Sequence, residues 1–177
     1  MISFVIKIAE VSIGITSIYA SLYSDVKKYV CEEKPEIIVT IESKDIINEQ
    51  QRSNREAQLE GRFSYKYPGA YLETLALLRK ITKRMLDYDT LLFHGSTISV
   101  DNEAYLFTAK SGTGKSTHTR LWREMLGDKA IMVNDDKPFL NIGEDGKIHG
   151  ADRPTKSKGK VLSDAMHHGP DCRPNGL

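Results

Sequence analysis

The residues best equipped for chemistry lie between Ala109 and Asp136. Ala109-Lys110-Ser111-Gly112-Thr113-Gly114-Lys115-Ser116-Thr117 has the spacing G-x-x-x-x-G-K-[ST], with alanine in place of the first glycine. Gly112 and Gly114 free the backbone to turn successive N–H groups inward as an anion nest. The first turn of a following helix adds its unpaired N–H groups and its dipole. Lys115 is placed to reach the β- and γ-phosphates of a nucleotide, Ser116 to offer its hydroxyl to Mg2+, and Thr117 to touch the α-phosphate. Ala109 needs only ordinary backbone conformations and reads as a tolerated variant. The bland alternative is a Gly/Ser-rich turn before a helix. It is set aside because strand, loop and helix follow in the required order.

Asn134-Asp135-Asp136 follows a short apolar run, Ala130–Val133. An aspartate at the end of a parallel strand next to the loop strand would face the metal and the γ-phosphate. Two adjacent carboxylates there can divide the work, one holding Mg2+ and one accepting a proton from an attacking hydroxyl. An Asx turn leading into Pro138 is the structural alternative. His94 follows the apolar run Leu91–Phe93, where a lone histidine is usually structural; it gains interest because it shortly precedes the loop strand. His118 and Arg120, beside Thr119 and Trp122, read as partly exposed helix residues. His167-His168 has no carboxylate or cysteine at metal-ligand spacing.

The elements that must position these groups follow from periodicity. Phe4, Ile6 and Ile8 alternate with polar neighbours, the phase slips at Ala9-Glu10, and Val11, Ile13 and Ile15 resume it, so two strands joined by a tight turn are expected. A short helix capped by Ser24 or Asp25 reaches about Val30, and Ile37, Val39 and Ile41 form a third strand. Ser43–Arg62 is polar and reads equally as a solvated helix or a mobile connection. From Pro68-Gly69 a core-packing helix carries Leu72, Leu75, Ala76, Leu78 and Met85 at three/four spacing. Leu91–Phe93 and Thr97–Val100 are strands, Asp101-Asn102 a turn, and Ala104–Thr108 a buried-type strand leading into the loop. An amphipathic helix, Lys115–Leu126, ends at Gly127-Asp128. Ala130–Val133 is a strand, and Phe139–Ile142 and Lys147–His149 flank a Gly143–Gly146 hairpin turn.

The bulk numbers bound the partners. The chain has 177 residues, 40% hydrophobic and 28% charged, which suits an ordinary globular protein. With 25 basic and 24 acidic residues the net charge is +1, giving no electrostatic case for nucleic acid or a membrane surface. Cys31 and Cys172 are the two cysteines and show no CxxC spacing, which fits a reducing cytoplasm. Lys7 and Glu10 interrupt the apolar N-terminus, so neither a signal peptide nor a membrane span is expected. Residues 151–177 carry few large apolar side chains and no periodicity, and a poorly ordered tail is expected there.

With these residues in place, the segment Phe93–Leu140 resembles the core of bacterial HPr kinase/phosphorylase-like proteins, above all the relatives labelled HPr serine kinase-like. The strong part of the likeness spans Leu91–Leu140, Tyr67–Asp89 resembles the helix preceding that core, and the N-terminal strands are weakly similar. The resemblance lays the family's phosphate loop on Ala109–Thr117 and its paired aspartates, used for Mg2+ and as base and acid, on Asp135 and Asp136. It lays the family's phosphate-side histidine on His94. The loop is also similar to that of ATP-dependent phosphoenolpyruvate carboxykinases, which share a related nucleotide core. Two departures stand out. The family continues after the hairpin into a segment like G-T-P-W-x-G-K, whereas Gly150 is here followed by Ala-Asp-Arg-Pro-Thr-Lys and a stretch reading as a truncated or frame-shifted end. The C-terminal signature of authentic HPr kinases is also missing.

The expectation is an α/β protein with a P-loop nucleotide-binding core of the HPr kinase/carboxykinase type, the loop ending a central strand. Residues 1–66 form a small β-rich α/β subdomain, residues 67–150 the core, incomplete at its C-terminal side, and residues 151–177 the tail. The expected cofactors are ATP and Mg2+. Lys115 and the loop 109–117 hold phosphates, Ser116 with Asp135 or Asp136 holds the metal, and Asp135 by preference takes the proton. His94 is the remaining catalytic candidate. Three functions stay open: transfer to a protein serine hydroxyl, a nucleotide-binding module without turnover, and carboxykinase-like chemistry. The last would need an arginine cluster for a small carboxylate, and none is evident near the core. HPr kinases form hexamers, so the resemblance leaves a homo-oligomer open.

Overall fold

A computed structural model describes residues 1–110, 112–144 and, for the backbone alone, 148–150. The chain is mixed α/β, and its described part divides into two compact units. The first comprises residues 1–7 and 12–81, and the second residues 8–11 and those from Thr82 onward. The 151–177 tail expected from composition lies outside the described residues.

β1 (Ile2–Ile8) and β2 (Val11–Ser17), which belong to the first unit except at Ile8 and Val11, form the expected hairpin. Its turn is made by Ala9 and Glu10, with φ of +52° and +62°. Two successive left-handed residues match the right-handed twist of the flanking strands, which is how a two-residue connection closes a hairpin. A short helix α1 (Ser21–Val26) begins three residues before the expected Ser24 cap; Ala20 stands at its N-cap without a side-chain bond. A 3-10 turn (Lys27–Tyr29) leads into β3 (Val30–Cys31). β4 (Ile37–Thr40) buries Ile37 and Val39 and exposes the alternate residues. The strand order is β3-β1-β2-β4, with β4 parallel to β2.

The ambiguous polar stretch is a helix, α2 (Ser43–Leu59). What starts it is local: the Glu42 N–H donates to Asp45 Oδ2 at 2.8 Å, one half of a capping box. Helix α3 (Gly69–Met85) follows. Arg79 reaches Glu49 on α2 through Nε (2.6 Å) and Nη2 (3.0 Å). Glu73, fully buried, accepts from Ile18 N (2.6 Å), Tyr19 N (3.0 Å) and Ser17 Oγ (3.1 Å), tying α3 to the chain leaving β2. The unit's core is aliphatic: Ile6, Ile13, Ile15, Leu22, Leu77 and Ile81 are all at or below 1% exposure.

The second unit holds two small sheets among the described residues. One has the order β10-β9-β5, from β5 (Thr90–Leu92), β9 (Phe139–Ile142) and β10 (Ile148–Gly150), all antiparallel. The other has the order β7-β6-β8, from β6 (Ser96–Val100), β7 (Glu103–Phe107) and β8 (Ala130–Asn134). Helix α4 (Lys115–Leu126) lies between β7 and β8 in the chain. Asp101 and Asn102, at φ of +52° and +65°, close the β6–β7 hairpin.

Two expectations are corrected here. The loop strand is not central and not of the buried type: among the described residues β7 is an edge strand, and Glu103 to Leu106 are exposed. Nor is β8 parallel and adjacent to β7, because β6 lies between them and is antiparallel to both. The cause is the tight Asp101-Asn102 turn, which forces β7 to fold back on β6. An apolar run cannot by itself distinguish a central strand from an edge strand. Even so, β7 and β8 share a direction, so their C-terminal ends lie on the same side of the sheet.

Candidate functional site

Gly112 and Gly114 stand in the left-handed region at φ of +79° and +96°, with open space where a β-carbon would be. Their requirement is conformational, as expected for a loop that turns its amides. Gly114 is also the N-cap of α4, and its carbonyl accepts from His118 N at 2.8 Å. Thr113 Oγ1 closes the loop on Lys110 O at 2.5 Å. Lys115 folds back across the loop, its ammonium 2.9 Å from Ala109 O and 3.4 Å from Lys110 O. Ser116 and Thr117, the next residues, are exposed on the first turn of α4. Ser111 lies outside the described residues.

Helix α4 is seated on β7 by aromatic rings. Trp122 meets Tyr105 and Phe107 at centroid separations of 5.2 and 5.4 Å, and His118 meets Phe107 edge-on at 4.8 Å. That gives His118 a packing role, in keeping with its bland sequence reading. On the same helix Thr119 is the buried residue, and it faces β6.

The aspartates are carried by a turn with its own logic. A register shift between Thr97 and Ile98 lets β8 carry one residue more than β6 at Val133, a β-bulge just before the carboxylates. Asn134, buried, then accepts from Asp136 N and Lys137 N, both at 2.9 Å. This is the Asx turn of the structural reading, and it fixes the backbone that carries the two aspartates. Asp135 accepts a hydrogen bond from Ser96 Oγ. Ser96 Oγ is in turn 3.2 Å from Thr119 Oγ1, and both residues are fully buried. Asp135 at the end of β8, Ser96 at the start of β6 and Thr119 on α4 are therefore linked by consecutive hydroxyl contacts.

Asp136 faces the other way, toward His94. His94 Nε2 is 3.6 Å from Asp136 Oδ1, too long for a hydrogen bond. Gly95 N donates to Asp136 O at 2.9 Å and Phe93 N to Pro138 O at 2.9 Å, so the segment carrying His94 is pinned to the aspartate turn by backbone. Lys137 Nζ approaches Asp136 Oδ2 at 3.9 Å. The predicted residues thus form two joined groups: Asp136 with His94, and Asp135 with the α4 side of the phosphate loop.

No cluster of three or more His, Cys, Asp or Glu side chains suited to a metal occurs among the described residues, so an all-protein cage is not built here. The ligands expected from the sequence, the Ser116 hydroxyl and the Asp135 and Asp136 carboxylates, are all oxygen donors. Such a set fits Mg2+, which keeps several waters and takes one or two carboxylates plus substrate phosphates. No helix among the described residues is long and apolar enough to cross a membrane.

Sequence reasoning missed Ser96, Thr119 and Asn134 as site residues. Asn134 stood beside the aspartates, where Asx-turn chemistry was visible. Ser96 and Thr119 carried no local signal, because their meeting depends on which strand β6 pairs with. Comparisons with protein-family models, with curated proteins and with solved structures found no match to this chain.

Proposed function

We propose that this chain binds Mg-ATP at Ala109–Thr117 and transfers the γ-phosphoryl group to a serine hydroxyl of a protein, in the manner of the HPr kinase-like proteins it resembles. The observation that carries the reading is the contact chain from Asp135 through Ser96 to Thr119, which ties a carboxylate to the helix that the phosphate loop opens. A glycine-rich turn with no phosphate to bind has no need of a carboxylate held in that place.

In this reading the loop amides and the start of α4 receive the phosphates. Lys115 exchanges the Ala109 and Lys110 carbonyls for β- and γ-oxygens. Mg2+, when bound, neutralises charge on those oxygens, and Ser116 with one aspartate would hold it. Asp135 accepts the proton as the acceptor hydroxyl oxygen bonds to phosphorus and the bond from phosphorus to the β-bridging oxygen breaks. Asp136, flanked by His94 and Lys137, supplies the second carboxylate. Catalysis of this kind is mostly positioning and charge neutralisation. A cytoplasmic setting, where ATP is abundant, belongs to the same proposal.

Thermal melting with Mg-ATP tests the binding half. Wild-type protein gains stability with ligand, and Lys115→Ala loses that gain; equal gains in both would remove the loop from the account. Transfer of γ-labelled phosphate to a serine-bearing acceptor, abolished in Asp135→Asn, tests the second half. Saturable binding with no transfer to any acceptor would leave a nucleotide-binding module and overturn the kinase reading.

A further inference from the structure

Among the described residues β7 closes one side of its sheet, and Glu103 to Leu106 are exposed along it. The hairpin decides which backbone groups are open. A two-residue turn makes its flanking residues, Val100 and Glu103, a hydrogen-bonded pair, and such pairs recur at every second position. Glu103, Tyr105 and Phe107 therefore turn their N–H and C=O groups to β6, while those of Ala104 and Leu106 point outward. β7 pairs with β6 without a bulge and carries neither proline nor lysine, the usual means of blocking an edge. Apolar surface continues from the strand onto α4. Thr119 faces β6 and Trp122 packs on β7, so the helical repeat puts Leu121 and Met125 on the flank toward the open edge. They are 45% and 83% exposed.

We propose that β7 is a self-association edge: two copies of this chain pair their β7 strands antiparallel about a two-fold axis at Tyr105, joining their sheets into one. The open groups are self-complementary in that register. Ala104 of each copy falls opposite Leu106 of the other, and each of these pairs exchanges both of its N–H···O bonds. Tyr105 meets its own counterpart in a pair without hydrogen bonds. Charge agrees with the same register. Glu103 falls opposite Phe107 of the second copy, so no like charges oppose. The acidic start of each strand, Asp101 and Glu103, comes beside Lys110 just past the end of the other, and all three are exposed. The Leu121 and Met125 row of each copy then flanks the seam and faces the same row of the second copy. Binding of nucleotide is not required for any of these contacts.

The test is sedimentation of the full chain across a concentration series without nucleotide, where the wild type is expected to show a reversible monomer–dimer equilibrium. Ala104→Pro removes an outward N–H and leaves the bonds to β6 in place. It costs each dimer two hydrogen bonds and is expected to weaken association about 10–100-fold. Leu106→Lys leaves the backbone intact, sets two like charges diagonally across the seam, and weakens association as well. A second measurement reads the register, in a background with Cys31→Ser and Cys172→Ser. Paired residues without hydrogen bonds lie about 4.5 Å apart at Cα, within disulfide reach, so oxidised Tyr105→Cys is expected to cross-link into a covalent dimer. Leu106→Cys lies about 7–8 Å from its counterpart and is expected to stay uncross-linked. A wild type that is monomeric throughout overturns the proposal. So does a dimer that neither Ala104→Pro nor Leu106→Lys weakens, or one that cross-links through position 106 and not 105.

Discussion

Alanine at position 114 would have to hold φ at +96°, a conformation that costs an L residue about 1–2 kcal/mol and costs glycine almost nothing. No atom lies within 4 Å of where the new β-carbon would sit, so the penalty is conformational and not a clash. The backbone has two responses. It can keep its shape and lose stability, in which case the melting temperature falls by about 4–8 °C per kcal/mol for a unit of this size. Or it can rotate to negative φ, which turns the loop amide away and disturbs the 2.8 Å bond from His118 N to Gly114 O that begins α4. A hydrogen bond to a charged group is worth about 1.5–3 kcal/mol, so losing one amide weakens triphosphate binding about 10–100-fold. Urea unfolding and an ATP-analogue titration of Gly114→Ala against wild type measure the two responses separately. Wild-type stability together with wild-type affinity would refute the reasoning, because it would mean that neither the left-handed backbone nor the amide it aims is in use.

Two further outcomes concern the first unit. Glu73→Ala removes the acceptor of the part-buried Ile18 and Tyr19 N–H groups, while Ser17 Oγ keeps Tyr19 O at 2.8 Å. Water can reach part-buried donors, so the loss is that of ordinary hydrogen bonds to a charged group, about 1.5–3 kcal/mol each at most, read as a lower urea midpoint with an unchanged slope. For Asp45, burial alone would raise the carboxyl, but hydrogen bonds from Lys80 and from Glu42 N, with the Lys80 and Lys44 charges, outweigh it and hold it below its ordinary value. A depressed folded value stabilises the protein above the unfolded value and ceases to do so as the pH falls through the folded one. Asp45→Asn is therefore less stable than wild type at pH 7, and the two unfolding midpoints converge as the solution is acidified below the carboxylate range.

The legible part of the sequence was local. Alternation at Phe4–Ile15 with a slip at Ala9-Glu10 located the hairpin, and the three/four stripe located α3. The glycines of the loop located α4, whose limits, Lys115 and Leu126, match the expected ones. Harder features were those that depend on partners far along the chain. Ser43–Arg62 looked undecided because its helix is started by one reciprocal contact between Glu42 and Asp45 and has little apolar content to show period. The edge position of β7 was invisible in Ala104–Phe107, since strand neighbours are set by the turn at Asp101-Asn102 and by the pairing of β6 with β8. The same non-local pairing hid Ser96 and Thr119. Loop, aspartates and histidine could be named from residue type and spacing; the hydroxyls that link Asp135 to α4 required the topology.

The most direct test of the central claim is a crystal structure of the chain with Mg2+ and a non-hydrolysable ATP analogue. The Lys115 ammonium sits 2.9 Å from Ala109 O. The account predicts that in the complex it leaves that carbonyl for the β- and γ-oxygens, with the loop amides around the phosphates. Mg2+ should lie against Ser116 and an aspartate, and Ser96 should still be hydrogen-bonded to Asp135. A nucleotide bound elsewhere, or a complex in which Lys115 stays on the Ala109 and Lys110 carbonyls, would contradict it.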